Sequence, residues 1–375
     1  MKKFVKKIIR GLFNHRVRKH YDKSYKGLLE HNNIPNKPCE GENDWKEKWS
    51  VLGKANPIYY RLFLHYIGHD INILPEDICH YVIEPILNPK AHIPYYADKN
   101  VFDKLFKEGI MPKTIFRKIN GFFYDDKYEN LQLKTDEQLK GMLRNASVDK
   151  IVIKPSIDTS SGSGVRLFQR KGIDWIEVED NNYLSLNFIE ANYGNDFIVQ
   201  ECLKQADFMS YFNPTSVNTI RMSVYRSVKD NKCHCVSAFL RIGAQGSLVD
   251  NAHAGGCFVG ISNNGELGQC VFNQYGESRS EFNCVNFKEK HIIPNWDKIV
   301  AFAHYVGSNV YHHRFLGLDI MIDNLGNPRL IEYNIKSCGV WAFQFASGSV
   351  FGEYTDEIIE YCKNNLDKAQ KIITL

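Results

Sequence analysis

No stretch of the 375 residues stays apolar long enough to cross a bilayer, and no secretory h-region with a small-residue cleavage site is present. Neither a membrane span nor export is expected, and cytoplasmic residence is the expectation. No Gly-Lys-Ser/Thr ends a glycine-rich turn, so a Walker A loop is missing, and a dinucleotide fingerprint lacks its third glycine. There is no Gly-x-Ser-x-Gly elbow, which leaves a serine hydrolase unsupported. The ten cysteines form no Cys-x2-Cys pairs. Cys233 and Cys235 flank His234 in an alternating, strand-like run, too few ligands for zinc. They read as reduced thiols packed in the core.

Net positive charge is confined to one end. Residues 1–26 hold ten Lys/Arg and one Asp, a net +9 in a chain totalling +4, so the remainder carries −5. A basic body that grips nucleic acid is not expected. Within the basic segment Phe4, Val5, Ile8, Ile9, Leu12 and Phe13 recur at helical spacing, with Lys2, Lys3, Lys6, Lys7 and Arg10 opposite. Such an arm, over 1–31, either lies in the interface of an anionic membrane, each cation adding about 1 kcal/mol, or docks on the protein's own core.

What is present suits a soluble globular chain of two or three subdomains, with 43% apolar and 24% charged residues. The richest segment runs from Gly317 to Asn334. Apolar and β-branched residues predict strands over 318–322 and 328–333, with a turn at Asp323-Asn324-Leu325-Gly326. Strand alternation sends Glu332 and Asn334 to one face, and the hairpin brings Asp319 beside them. Two carboxylates and an amide oxygen make a hard-oxygen cluster suited to Mg2+. The bland alternative is a hairpin with solvated acids at its edge.

Upstream, 151–154 reads as an apolar strand ending in Lys154, followed by a Ser/Gly loop over 156–164 that includes Ser161, Gly162, Ser163 and Gly164, then a strand over 165–169. The lysine offers a point charge to phosphate oxygens, and the two glycines let backbone N–H groups approach an anion. An ordinary flexible hairpin loop is the competing reading. Residues 196–203 form a further strand, and an Asn-Thr-Ile-Arg strand follows over 218–221.

In that order the chain resembles the ATP-grasp superfamily, and within it the sugar-transfer-associated ATP-grasp family of bacterial polysaccharide synthesis. The residues carrying the likeness are Gln200-Glu201, the run 216–221, Asn251-Ala-His-Ala-Gly-Gly256, Gly317-Leu-Asp319 and Ile331-Glu-Tyr-Asn334, across 59–361. The resemblance implies an α+β fold of two α/β lobes with ATP between them. The lobes would be 97–200 and 201–375, preceded by an N-terminal helical region over 44–96. It implies that Lys99 and Lys154 meet the nucleotide phosphates, and that Glu201, Cys202 and Leu203 offer backbone groups to adenine. Gln200 would add a side chain there, and Asp207 would meet the ribose hydroxyls. Asp319, Glu332 and Asn334 would hold one or two Mg2+ ions, their spacing being that of D-alanine:D-alanine ligases.

Those ligases carry an arginine two positions before the metal aspartate, where this chain has Gly317. Arg221 and Arg241, each in an apolar strand-like run, are the substitutes, contacting substrate or phosphate or else serving as structural ion pairs. His253 either touches the acceptor or is merely solvated. The activity implied is an ADP-forming ligase that joins a small carboxylate to an amine, sugar-linked partners included, through an acyl phosphate. A sugar or polyol kinase and a non-catalytic nucleotide-binding partner of a glycosyltransferase are the alternatives. Work on lipid-linked glycans would place the basic arm at the inner membrane face.

Overall fold

The structure, a computed structural model, describes residues 2–157, 163–247 and 249–369. Ser161 and Gly162 therefore lie outside the described residues, as do the side chains of 2–7 and 10. Two compact units account for the chain: Pro94–Ala206 with Met321–Glu332, and Met1–Ile93 with Asp207–Ile320 and Tyr333–Leu375.

The smaller unit is an antiparallel sheet of β1 (Thr114–Ile119), β2 (Phe122–Tyr124), β3 (Asn130–Leu131), β4 (Lys150–Pro155), β5 (Arg166–Lys171), β6 (Asp174–Glu177) and β7 (Phe197–Glu201). Their order is β3-β2-β1-β7-β4-β5-β6. Alternation along β4 puts Ile151 and Ile153 into one core with Phe116, Phe168, Phe197 and Val199. Leu139 and Leu143 of the helix Asp136–Arg144 close that core. The helix starts at a capping box: the Thr135 hydroxyl accepts the Gln138 N–H at 3.3 Å, and the Gln138 amide oxygen accepts the Thr135 N–H at 3.1 Å.

Between Lys99 and Glu108, where the family likeness leads one to expect a helix over 101–108, there is a 3-10 turn Lys99–Val101 and one helical turn Phe102–Leu105. The chain turns extended at Phe106, ahead of Gly109 at φ 82°.

A second seven-stranded sheet runs β12-β11-β10-β9-β8-β15-β16. Its members are β8 (Ile220–Arg226), β9 (Cys233–Ile242), β10 (Cys257–Ile261), β11 (Val271–Phe272), β12 (Ser278–Arg279), β15 (Phe315–Ile322) and β16 (Pro328–Asn334). The numbers β13 (Glu281–Phe282) and β14 (Val285–Asn286) belong to a separate two-stranded hairpin. The expected 318–322 and 328–333 strands are thus present and slightly longer. Helices Glu42–Ser50 and Ile58–Ile67 bring in Trp45, Trp49, Tyr59, Leu62 and Phe63, all fully buried in one core with Phe239, Phe315 and Phe343. A helical run follows as Glu76–Ile78, a π-helical turn Cys79–Ile83 and Glu84–Leu87.

The basic arm is one helix, Lys2–His31. Its second half docks on the protein's own core: Tyr25 and Leu29 are 1% and 2% exposed, and the Tyr25 hydroxyl donates to Glu76 at 2.6 Å. Its first half differs, with Ile8, Leu12 and Phe13 exposed.

Candidate functional site

In the smaller unit the sequence-predicted Lys99, Lys154 and Glu332 come together. Lys99 opens a 3-10 turn capped by Asp98, whose carboxylate accepts the Asn100 N–H at 2.9 Å, and the Lys99 N–H donates to Ser156 O at 2.9 Å. Its ammonium lies 3.4 Å from the Glu332 carboxylate. Lys154, at the end of β4, is buried and points its amine at Ile331 O, 3.5 Å away. Burial, and then the Lys99 charge, push the Lys154 amine down to about 8 against the pull of Glu332. Two cations held this close, with one carboxylate between them, make a receptor for a polyanion.

Of the loop residues, Ser163 and Gly164 are described. Gly164 sits at φ 75°, and a Cβ there would come within 2.9 Å of Pro155 Cγ, so the turn into β5 requires glycine. The adenine-strand residues hold positions within their own sheet. Gln200 is buried and donates to Pro112 O at 3.0 Å, while the Glu201 carboxylate accepts the Lys113 N–H at 2.8 Å. The Cys202 N–H donates to Lys150 O at 3.0 Å, so the side chain of Gln200 and this N–H are engaged by protein groups. Leu203 follows the end of β7. Asp207, in the other unit, is exposed at the start of the helix Asp207–Phe212.

The larger unit gathers Arg221, Arg241, Asp319 and Asn334. Arg221 on β8 and Asp319 on β15 are register partners, so their side chains leave the sheet together. The guanidinium grips the carboxylate twice, Nε to Oδ1 at 2.5 Å and Nη2 to Oδ2 at 2.9 Å. Arg241 on β9 reaches the same Oδ1 at 3.5 Å and pairs with Asp250 at 2.9 Å. Asn334, on β16 two residues beyond Glu332, places its amide 3.4 Å from Asp319 Oδ2. Asp319 is 2% exposed, so its charge is sustained by these partners.

Asp250 and Thr219 belong to this network, although pattern reading passed over them. Asp250 accepts the Thr219 N–H at 3.0 Å and the Thr219 hydroxyl at 2.5 Å, and burial holds its carboxyl above the usual range despite Arg241. The signal was available in principle, since an arginine on an inward strand face demands a carboxylate, and Asp250 immediately precedes the Asn251-Ala-His run. His253 lies apart, exposed on a 3-10 turn, bonded to Gln274 and with its ring 6.2 Å from that of Trp341. Among the described residues no group of three or more His, Cys, Asp or Glu is placed to hold a metal ion.

The profile of a family described as sugar-transfer associated ATP-grasp matches residues 81–359. Solved structures similar to the chain include the D-cycloserine synthetase DcsG, 10% identical with a TM-score of 0.41, covering 75% of this chain and 73% of that one. The ATP-grasp ligase PsnB complexed with a minimal precursor is 14% identical with a TM-score of 0.39, covering 73% and 63%. The D-alanine–D-alanine ligase from Bacillus anthracis is 14% identical with a TM-score of 0.38, covering 72% and 69%. No curated protein matches the chain in sequence.

Proposed function

Given that the chain belongs to the sugar-transfer associated ATP-grasp family, we propose that it is an ATP- and Mg2+-dependent ligase forming ADP. It activates the carboxylate of a sugar acid or amino acid as an acyl phosphate and passes the acyl group to an amine, in building a surface polysaccharide. The observation that carries the reading is the cluster of Lys99, Lys154 and Glu332, two cations and a carboxylate drawn from three separate segments.

The donor set fits magnesium. By residue type, Asp319, Glu332 and Asn334 offer two carboxylates and an amide oxygen, the hard donors magnesium takes. These three residues would hold the ion, which when bound neutralises charge on the β and γ phosphates. Lys99 and Lys154 neutralise the phosphate tail. Arg221 and Arg241 present fixed guanidiniums to developing negative charge and orient Asp319.

Product analysis tests this directly. ADP and free phosphate released only when both a carboxylate and an amine are supplied support the ligase. Phosphate left covalently on an acceptor hydroxyl would make it a kinase, and no ADP with any pair would make it a binder. Glu332→Gln should abolish turnover while ATP still binds weakly.

For location, the exposed apolar Ile8, Leu12 and Phe13 in a segment rich in Lys and Arg support contact between the first half of the N-terminal helix and an anionic bilayer at the inner membrane face. No helix among the described residues is long and apolar enough to cross a membrane.

A further inference from the structure

Apart from the Arg221–Asp319 network, the larger unit contains a cavity of about 560 Å3, within the size range of small-molecule sites. Its lining includes Tyr21 and Tyr25 of the N-terminal helix, Glu76, His80, Gly339 and Trp341.

Its polar groups are pre-set. Tyr25 donates to one Glu76 oxygen at 2.6 Å, and His80 Nε2 lies 3.7 Å from the other. His80 Nδ1 is 2.7 Å from Glu84, whose second oxygen accepts the Cys338 N–H at 3.3 Å. One imidazolium between two carboxylates leaves this cluster negative, and no lysine or arginine is among the described lining residues. Trp341 is braced edge-on by Phe258, with centroids 5.4 Å apart at 79°, and Tyr21 stacks on His80 at 5.0 Å and 10°.

Aromatic rings beside an excess of carboxylate favour an ammonium, and a wide indole with hydroxyl-accepting neighbours favours the C–H face of a pyranose. A carboxylate ligand meets no fixed cation that is not already shared between Glu76 and Glu84.

The cavity also adjoins the charged network. Gly339 sits at φ 81°, and a Cβ there would come within 3.4 Å of Arg221 Nη1, which itself donates to Cys338 O at 3.3 Å. Ser337 and Gly339 line the cavity, and Cys338 between them carries the carbonyl that Arg221 reaches.

We propose that this cavity binds an amino sugar, the amine acceptor of the ligase; the acceptor role rests on the function proposed above, whereas binding does not. The test is calorimetric titration of the full-length chain, without nucleotide, with methyl β-D-glucosaminide, methyl β-D-glucoside, ethanolamine and D-glucuronate. The glucosaminide should bind at least tenfold tighter than the other three. Trp341→Ala should lose at least tenfold, and Trp341→Phe should retain most of the affinity. Should Trp341→Ala melt early, Tyr275→Ala, at an exposed lining position, serves instead with the same expectation.

No binding by any probe, equal binding of ethanolamine, or unchanged affinity in a well-folded variant would overturn the site. Glucosaminide binding with no ADP formed from any carboxylate would support the site and count against the ligase. ADP formation from a carboxylate and the glucosaminide, unchanged in Trp341→Ala, would overturn the site and leave the ligase standing.

Discussion

Arg221 holds Asp319 through two parallel bonds, 2.5 and 2.9 Å, across a register pair of β8 and β15. A bidentate fork of this kind fixes the carboxylate's orientation as well as its charge. Replacing Arg221 by methionine would strip Asp319, 2% exposed, of its bidentate partner, with Arg241 3.5 Å away and the Asn334 amide at 3.4 Å. Stripping one partner from a buried pair costs about 3–5 kcal/mol. Arg221→Met should therefore unfold at clearly lower urea, and Arg221→Lys, which keeps the charge but not the fork, should fall between. A midpoint for Arg221→Met equal to the native one would show that the pair contributes nothing to the fold.

Lys154 makes a second prediction, with a definite sign. Its folded value near 8 lies below the ordinary lysine value, so between about pH 8 and 10.5 the folded chain binds fewer protons than the unfolded one. Stability contributed by this group therefore rises with pH through that window. Phosphates arriving beside it reverse the balance by favouring the ammonium. ATP binding at pH 8–9 should take up protons, seen as a binding heat that changes with the buffer's ionisation heat, and Lys154→Met should abolish that dependence. Buffer-independent heats in the native protein would place the phosphates elsewhere.

The sheets and the hairpin were legible because their signals are local. The apolar run of β4, the alternation along β16 and the Asn/Gly turn at 323–326 each announce themselves within a few residues. Lys99 became legible only through family likeness, since a lysine on a 3-10 turn has no pattern of its own. Partner choice was harder. Nothing local shows that Asp250 takes Arg241, or that Tyr25 reaches Glu76 from 51 residues away. The docked half of the N-terminal helix was obscured by its charge: lysines and arginines can lie along a core while their heads stay wet.

That docking shapes the membrane test. Deleting 1–26 would remove Tyr25 and its bond to Glu76, so a truncation confounds anchoring with folding. Leu12→Glu with Phe13→Glu changes exposed positions instead. The double variant should melt within a degree or two of the native chain yet sediment much less with vesicles rich in phosphatidylglycerol, because apolar burial and attraction to anionic lipid are both weakened. Equal sedimentation of both chains would remove the bilayer from the account of this helix.

The last prediction concerns His80, which sits between Glu76 and Glu84. Burial alone would push its imidazole down, but the Glu84 charge and hydrogen bonds donated to both glutamates outweigh it and raise the value to about 10. A group whose folded value lies above its unfolded 6.5 contributes stability that is fully present below pH 6.5 and lost as pH rises through 10. With side-chain exposures of 12%, 5% and 9% for His80, Glu76 and Glu84, the contribution is on the order of a few kcal/mol. His80→Gln keeps hydrogen-bonding capacity without the charge. The margin by which the native chain exceeds it in urea unfolding should be widest at pH 6, smaller at pH 8.5 and nearly gone above pH 10. A margin that does not change with pH would mean that His80 carries no proton in the fold, and the wall of the cavity would then be more negative by one charge.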